Sequence, residues 1–145
     1  MAIRPIVTGD DPILHIKCEE VKKFDFELNS LISDLTDTLR ASPNAVGLAA
    51  PQIRVKKRVA VVDVGDGLVV LINPEFLERS GSEITWEGCL SFPNRSEQVK
   101  RPTYVKVRSL DQQGRAQIFE ASGLKARAFC HEMDHLDGIV FWELA

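Results

Sequence analysis

The sequence predicts an α+β fold, with antiparallel strands packed around a central C-terminal helix and a second helix near the N-terminus. Three observations carry this. An apolar stripe at helical spacing comes early, β-branched runs broken by turn residues fill the middle, and a second helical segment closes the chain. Strands and helices are thus grouped in separate stretches, which favours α+β over repeating βαβ units. At 145 residues and 44% hydrophobic, the chain suits one domain, 1–145, with one sizeable core.

Leu28, Leu31, Ile32, Leu35 and Leu39 fall at i, i+3, i+4, i+7 and i+11, one face of a helix that Asp25 can cap and that Ser42-Pro43-Asn44 stops. After "GLAAPQI", the runs "VKKRVAVVDV" and "LVVLINP" flank "GDG" and read as two strands joined by a tight turn. A third extended region leads through Ile84 to Cys89. "RPTYVKVRSLD" and "AQIFEAS" flank "QQG" as a further hairpin. The segment "SGLKARAFCHEMDHLDG" reads as the final helix, with Ser122 as its cap and Gly138 at its stop. There is no internal repeat, linker or low-complexity segment.

Eighteen Lys and Arg against 21 Asp and Glu give a net charge of -3 with the signs interspersed, so no nucleic-acid motif or basic face is expected. No apolar run reaches the roughly 20 residues of a membrane span, and the start has no signal-peptide pattern. Three scattered cysteines, Cys18, Cys89 and Cys130, make a poor disulfide framework. A reducing, cytoplasmic setting is expected, and it leaves thiolates available to a metal.

The "HEMDH" stretch carries the chemistry. On a helix His131 and His135 share a face, so both can hold one ion while Glu132 sits beside it; Leu124 and Ala128 lie on the same stripe. A structural zinc site takes four protein ligands, whereas a catalytic site takes three and keeps a position for water. No histidine follows His135, and only ten residues remain, so the third ligand comes from upstream. Cys89 in "WEGCLSFP" leads: a thiolate suits zinc or iron, and the preceding Gly88 lets the backbone come close. Cys130 lies about 100° round the helix from His131 and should miss the ion. Cys18 and His15 are the residues that could turn the site into a closed, four-ligand one.

Three separated segments, "GLAAPQI" (47–53), "EGCLS" (87–91) and "HEMDHLDG" (131–138), resemble the signature motifs of the peptide deformylase family, in its order and approximate spacing. The likeness extends to Arg101-Pro102 and the "DQQG" turn and so covers nearly the whole chain. It implies an enzyme that hydrolyses the N-formyl group from formylmethionine at the start of new polypeptides, releasing formate. By resemblance, Cys89, His131 and His135 hold the metal and Glu132 is the general base that passes a proton from water to the leaving amine. The Gln52 side chain and the Leu90 N–H are the implied oxyanion donors. Val46 and Gly47 begin a segment that would bind the substrate as an added strand, with an apolar pocket for the methionine side chain. Fe²⁺ is the implied metal, with Zn²⁺, Ni²⁺ or Co²⁺ able to substitute; nascent N-formylmethionyl chains are the implied partners.

The sequence departs from the family pattern at Arg54, where Gly is common, at Cys130, where Gln is common, and at Phe92, where a smaller aliphatic residue is usual. It ends at Ala145 without the longer C-terminal helix that some members use at the ribosome; the ribosome stays among the partners the resemblance implies, with no docking through such a tail assumed. Two other readings share the metal site: a small zinc peptidase, and a metal-stabilised binding protein using Cys18 or His15 as a fourth ligand.

Overall fold

The computed structural model describes residues 2–145. Five antiparallel strands form the main sheet: β1 (Gly47–Ala49), β2 (Val59–Val62), β3 (Val69–Ser80), β6 (Tyr104–Leu110) and β7 (Ala116–Ser122), in the order β1-β2-β3-β6-β7. A separate hairpin pairs β4 (Glu83–Cys89) with β5 (Phe92–Arg101). Helix α1 spans Phe26–Arg40 and helix α2 spans Gly123–Leu136. The class is α+β with antiparallel sheets, as the grouping of segments predicts. Among the described residues, no helix is long and apolar enough to cross a membrane.

Strand periodicity explains why the sheet carries a helix on each face. Along β2, Val59 and Val61 join Leu48 and Ile72 against Leu28, Ile32, Leu35 and Leu39 of α1. The alternate residues Ala60 and Val62 join Ala49 and Leu71 against Phe129, Met133 and Leu136 of α2. β2 is therefore buried on both sides, which is why "VAVV" has no polar alternation. Burying each leucine of the α1 stripe contributes about 1.5–3 kcal/mol. A third cluster, with Leu14, Phe92, Val99, Val140 and Phe141, closes the C-terminal end beneath β5.

Helix limits follow local chemistry. The Asp25 side chain accepts the Leu28 N–H at 3.1 Å and caps α1, as expected. Ser122 precedes α2 but its side chain makes no cap bond. It is instead the last residue of β7, paired with Tyr104, and the Gly123 N–H bonds to the Thr103 carbonyl, so the sheet sets where α2 begins. Gly138 ends α2 with φ at 75°, and its N–H reaches the His135 carbonyl.

Two strands exceed the sequence reading. β5 goes unforeseen because "FPNRSEQVKR" is polar at most positions: it is a mostly exposed hairpin arm anchored by the buried Phe92, Val99 and Arg101. β3 runs on to Ser80 through two register shifts, which break the alternation beyond Ile72.

Candidate active site

Helix α2, the β4–β5 turn and the segments on either side of β1 meet at one cleft of about 700 Å³. Each supplies part of the site for a local reason. On α2, four-residue spacing puts His131 and His135 together with ring centroids 4.9 Å apart. β4 ends at Cys89, a register shift follows Gly88, and Leu90-Ser91 turns the chain into β5. A bulge of this kind re-aims side chains; here the Cys89 Sγ comes 3.3 Å from the His135 Nε2. One ligand atom from each of Cys89, His131 and His135 lies within 4.8 Å of the others, close enough for a single ion.

The residues around this trio fit a cation. The His131 Nδ1 lies 2.8 Å from the Glu87 Oε2, a partner that holds the ring and leaves Nε2 for a metal. Burial works against protonating His131, but the negative charge of Glu132, the Cys89 sulfur and Glu87 outweigh it and raise its pKa, so the site attracts positive charge. His135 is pushed the opposite way by its burial and by the neighbouring His131. Cys89 and two histidines form a donor set suited to zinc or ferrous iron.

Glu87 is itself held. Burial would raise its pKa, yet hydrogen bonds from His131 and Arg101 bring it down to about 2. Arg101 donates to both Glu87 oxygens, at 3.0 and 2.7 Å, and to Asp134 at 2.5 Å. The sequence reading assigns no role to this buried Glu87–Arg101–Asp134 network. Two signals were available: Glu87 stands two residues before Cys89 on one strand, and Asp134 stands three after His131 on one helix. Nothing local ties Arg101 to either.

Glu132 is 3% exposed, and its Oε1 has no partner among the described residues. Burial raises its pKa to about 7, where a carboxyl can both take and give a proton near neutral pH. Gly47 makes room for it: a Cβ at that position would lie 2.6 Å from the Glu132 Oε2. The smallness of Gly47 thus serves the carboxylate as well as any chain approaching β1. Gln52 is 1% exposed. Its Oε1 accepts the Ala49 N–H at 2.9 Å, and its Nε2 points to the Ser91 Oγ at 3.1 Å and the Cys89 Sγ at 3.5 Å. Leu90 and Val46 line the cleft, and β1, whose one strand neighbour among the described residues is β2, has an edge without a strand partner there.

The remaining candidates lie elsewhere. Cys130 packs into the core with Phe129 and Met133, and burial raises its thiol to about 11. Cys18 sits in that same core, and its N–H bonds the Leu136 carbonyl. His15 is held between Asp10 and Glu143. Neither joins the metal group. Phe92 turns away from the cleft and packs edge-on against Phe141 and Trp142, so its bulk does not shape the pocket. Arg54 has φ at 68° as the residue closing the Ala50–Ile53 turn, a left-handed conformation natural to glycine. A larger groove of about 1050 Å³ beside α1, lined mainly by charged side chains, contains none of the metal group.

The family model described as "Polypeptide deformylase" matches residues 3–145. "Peptide deformylase 1" of Clostridium acetobutylicum is 50% identical over 141 residues, 97% of this chain and 93% of that protein. "Peptide deformylase 1" of Bacillus subtilis is 50% identical over 143 residues, covering 97% and 89%. The crystal structure of peptide deformylase from Thermotoga maritima superposes with a TM-score of 0.94 at 38% identity, over 99% of this chain and 97% of that one. The Ehrlichia chaffeensis enzyme, solved in complex with actinonin, gives 0.96 at 35% identity, over 100% and 90%. Similar in sequence and in shape along nearly its whole length, the chain belongs to the peptide deformylase family, metal-dependent hydrolases that remove the formyl group from N-formylmethionine at the start of new polypeptides.

Proposed function

We propose that residues 1–145 form a single catalytic domain, centred on the HExxH helix α2, in which Cys89, His131 and His135 hold Fe²⁺ for deformylation. One observation carries this reading: a three-ligand group beside a buried, partnerless carboxylate oxygen, at a cleft bordered by an open strand edge. Three protein ligands leave room for chemistry, where a structural site would have four. Zn²⁺, Ni²⁺ and Co²⁺ suit the same donors. The three free cysteines suit a reducing cytoplasm.

A divalent cation bound there supplies Lewis acidity, making water a nucleophile near neutral pH. Glu132 takes the proton from the attacking water and returns it to the amine as the formyl C–N bond breaks. The Gln52 Nε2 and the Leu90 N–H stabilise the oxyanion. Gln52 arrives pre-set, because its Oε1 is fixed by the Ala49 N–H and cannot turn toward the substrate. The peptide adds to the free edge at Val46 and Gly47, and the methionine side chain lies against Leu124 and Ala128. Placing that side chain fixes the formyl carbon for attack.

The test is formate release. Reconstituted anaerobically with Fe²⁺, the protein should deformylate formyl-Met-Ala-Ala-Ala, leave its internal bonds intact and act far more slowly on the acetyl peptide. Internal cleavage without formate would select a peptidase instead. No reaction by the metal-loaded protein would leave a binding role.

A further inference from the structure

Arg127 occupies a place in the cleft that neither metal binding nor burial of a methionine side chain explains. It lines the cleft one helical turn before His131, beside Leu124 and Ala128. Its side chain is 23% exposed, and its Nη1 lies 3.4 Å from the Glu83 Oε2 at the start of β4. Its aliphatic stem therefore follows the wall while its charge reaches the rim. Among the described residues lining the cleft, Arg127 is the only lysine or arginine. The acidic groups at the floor are committed, Glu87 to His131 and Arg101, and Glu132 to the reaction. Glu83 is a weak competitor for Arg127, being 45% exposed in its side chain.

Peptide geometry then selects a position. With the formyl group at the floor and the chain extended along β1, successive side chains point to opposite faces. The methionine side chain faces α2, the second residue faces away, and the third returns to the α2 side about 7 Å further out. That is the reach of an arginine at the rim. We propose that Arg127 selects the third residue of the formylated substrate, favouring an acidic side chain over a basic one. The inference rests on the deformylase reading above.

The test compares kcat/KM for formyl-Met-Ala-Asp-Ala and formyl-Met-Ala-Lys-Ala, with Asp and Lys moved to the second position as control peptides. The expected Asp-to-Lys ratio is about three- to tenfold at the third position in low salt, and clearly smaller at the second. It should shrink when salt cuts the screening length to about 3 Å. Arg127→Gln should bring the third-position ratio towards one, and Glu83→Gln, which frees the guanidinium, should raise it. Loss of fold would not move the two variants in opposite directions. Calorimetric binding of the product peptides Met-Ala-Asp-Ala and Met-Ala-Lys-Ala should follow the same order without any chemistry. Equal wild-type ratios at the two positions, or a ratio that Arg127→Gln leaves unchanged, would overturn the inference while leaving deformylation intact. Failure to release formate from all four peptides and from formyl-Met-Ala-Ala-Ala would instead remove the deformylase reading on which it rests.

Discussion

Helices α1 and α2 pack on opposite faces of one sheet and are nearly equal in length, yet they bury different material. α1 turns Leu28, Ile32, Leu35 and Leu39 inward, and its buried face is mostly hydrocarbon. α2 buries His131, Glu132 and His135 among Phe129, Met133 and Leu136. Buried polar groups are costly unless satisfied, and here the Glu132 Oε1 and the His135 Nδ1 have no hydrogen-bond partner among the described residues. The contrast teaches that one face of the sheet carries stability while the other gives some of it up to hold charge beneath a cleft. Substitutions on the two helices should therefore separate stability from activity.

The largest effect belongs to α2. Glu132→Gln should lower deformylation by about 10²- to 10⁴-fold, the range for a lost general base, with metal content unchanged by elemental analysis. In the metal-free protein the same change should raise stability at neutral pH. The sign follows from a folded value of about 7 against an ordinary 4.5: ionisation penalises the fold above pH 7 and ceases to matter below about 4.5. A more stable, inactive variant would sharpen the contrast. An active one would end the assigned role.

Gly47→Ala probes the junction between β1 and α2. A methyl 2.6 Å from the Glu132 carboxylate must displace it, and about 10² in kcat is at stake for a shift near 1 Å. Steady-state kinetics beside a melting curve would show activity falling further than stability.

On α1 the order reverses. Leu35, with no exposed surface, should lose about 2–5 kcal/mol when changed to Ala. Denaturant titration reads that loss, and kcat per folded molecule should hold. A matching fall in kcat would mean that the two faces are not separable.

Acid gives a smaller, graded test. Glu87 is held at about 2 against an ordinary 4.5, so it stabilises the fold above pH 4.5 and that contribution fades as pH falls towards 2. Glu87→Gln should be less stable at neutral pH and should show a flatter loss across that acid window, followed by circular dichroism. An unchanged slope would detach Glu87 from His131 and Arg101.

The smallest change is expected at Arg54. Glycine there would relieve the left-handed backbone, but it would also lose the exposed Asp11 pair at 3.2 Å and gain chain entropy in the unfolded state. A net shift within about 1 kcal/mol is expected, read from the melting curve.

The two helices also differ in how legible they are. The α1 stripe and its Asp25 cap are visible in the sequence because helix periodicity and capping are local. The HExxH spacing is local too, and it puts both imidazoles on one face of α2 before any fold is known. The strand β5 is hidden because its few anchors, Phe92, Val99 and Arg101, are spaced by exposed polar residues.

The sequence by itself determined the α+β class, the two helices and the pairing of His131 and His135 as candidate ligands on one helix face, because each depends on neighbours within a few positions. Helix geometry already turned Cys130 away from the histidines, but only the tertiary structure decided how a thiol 46 residues off in sequence reaches them: the Cys89 Sγ comes to His135, while Cys130 packs into the core. The same holds for the Glu87–Arg101–Asp134 network and for the fit of Gly47 against Glu132. These contacts join segments far apart in the chain, and they form only when hydrophobic burial on both faces of the sheet brings α2, β1 and the β4–β5 hairpin together.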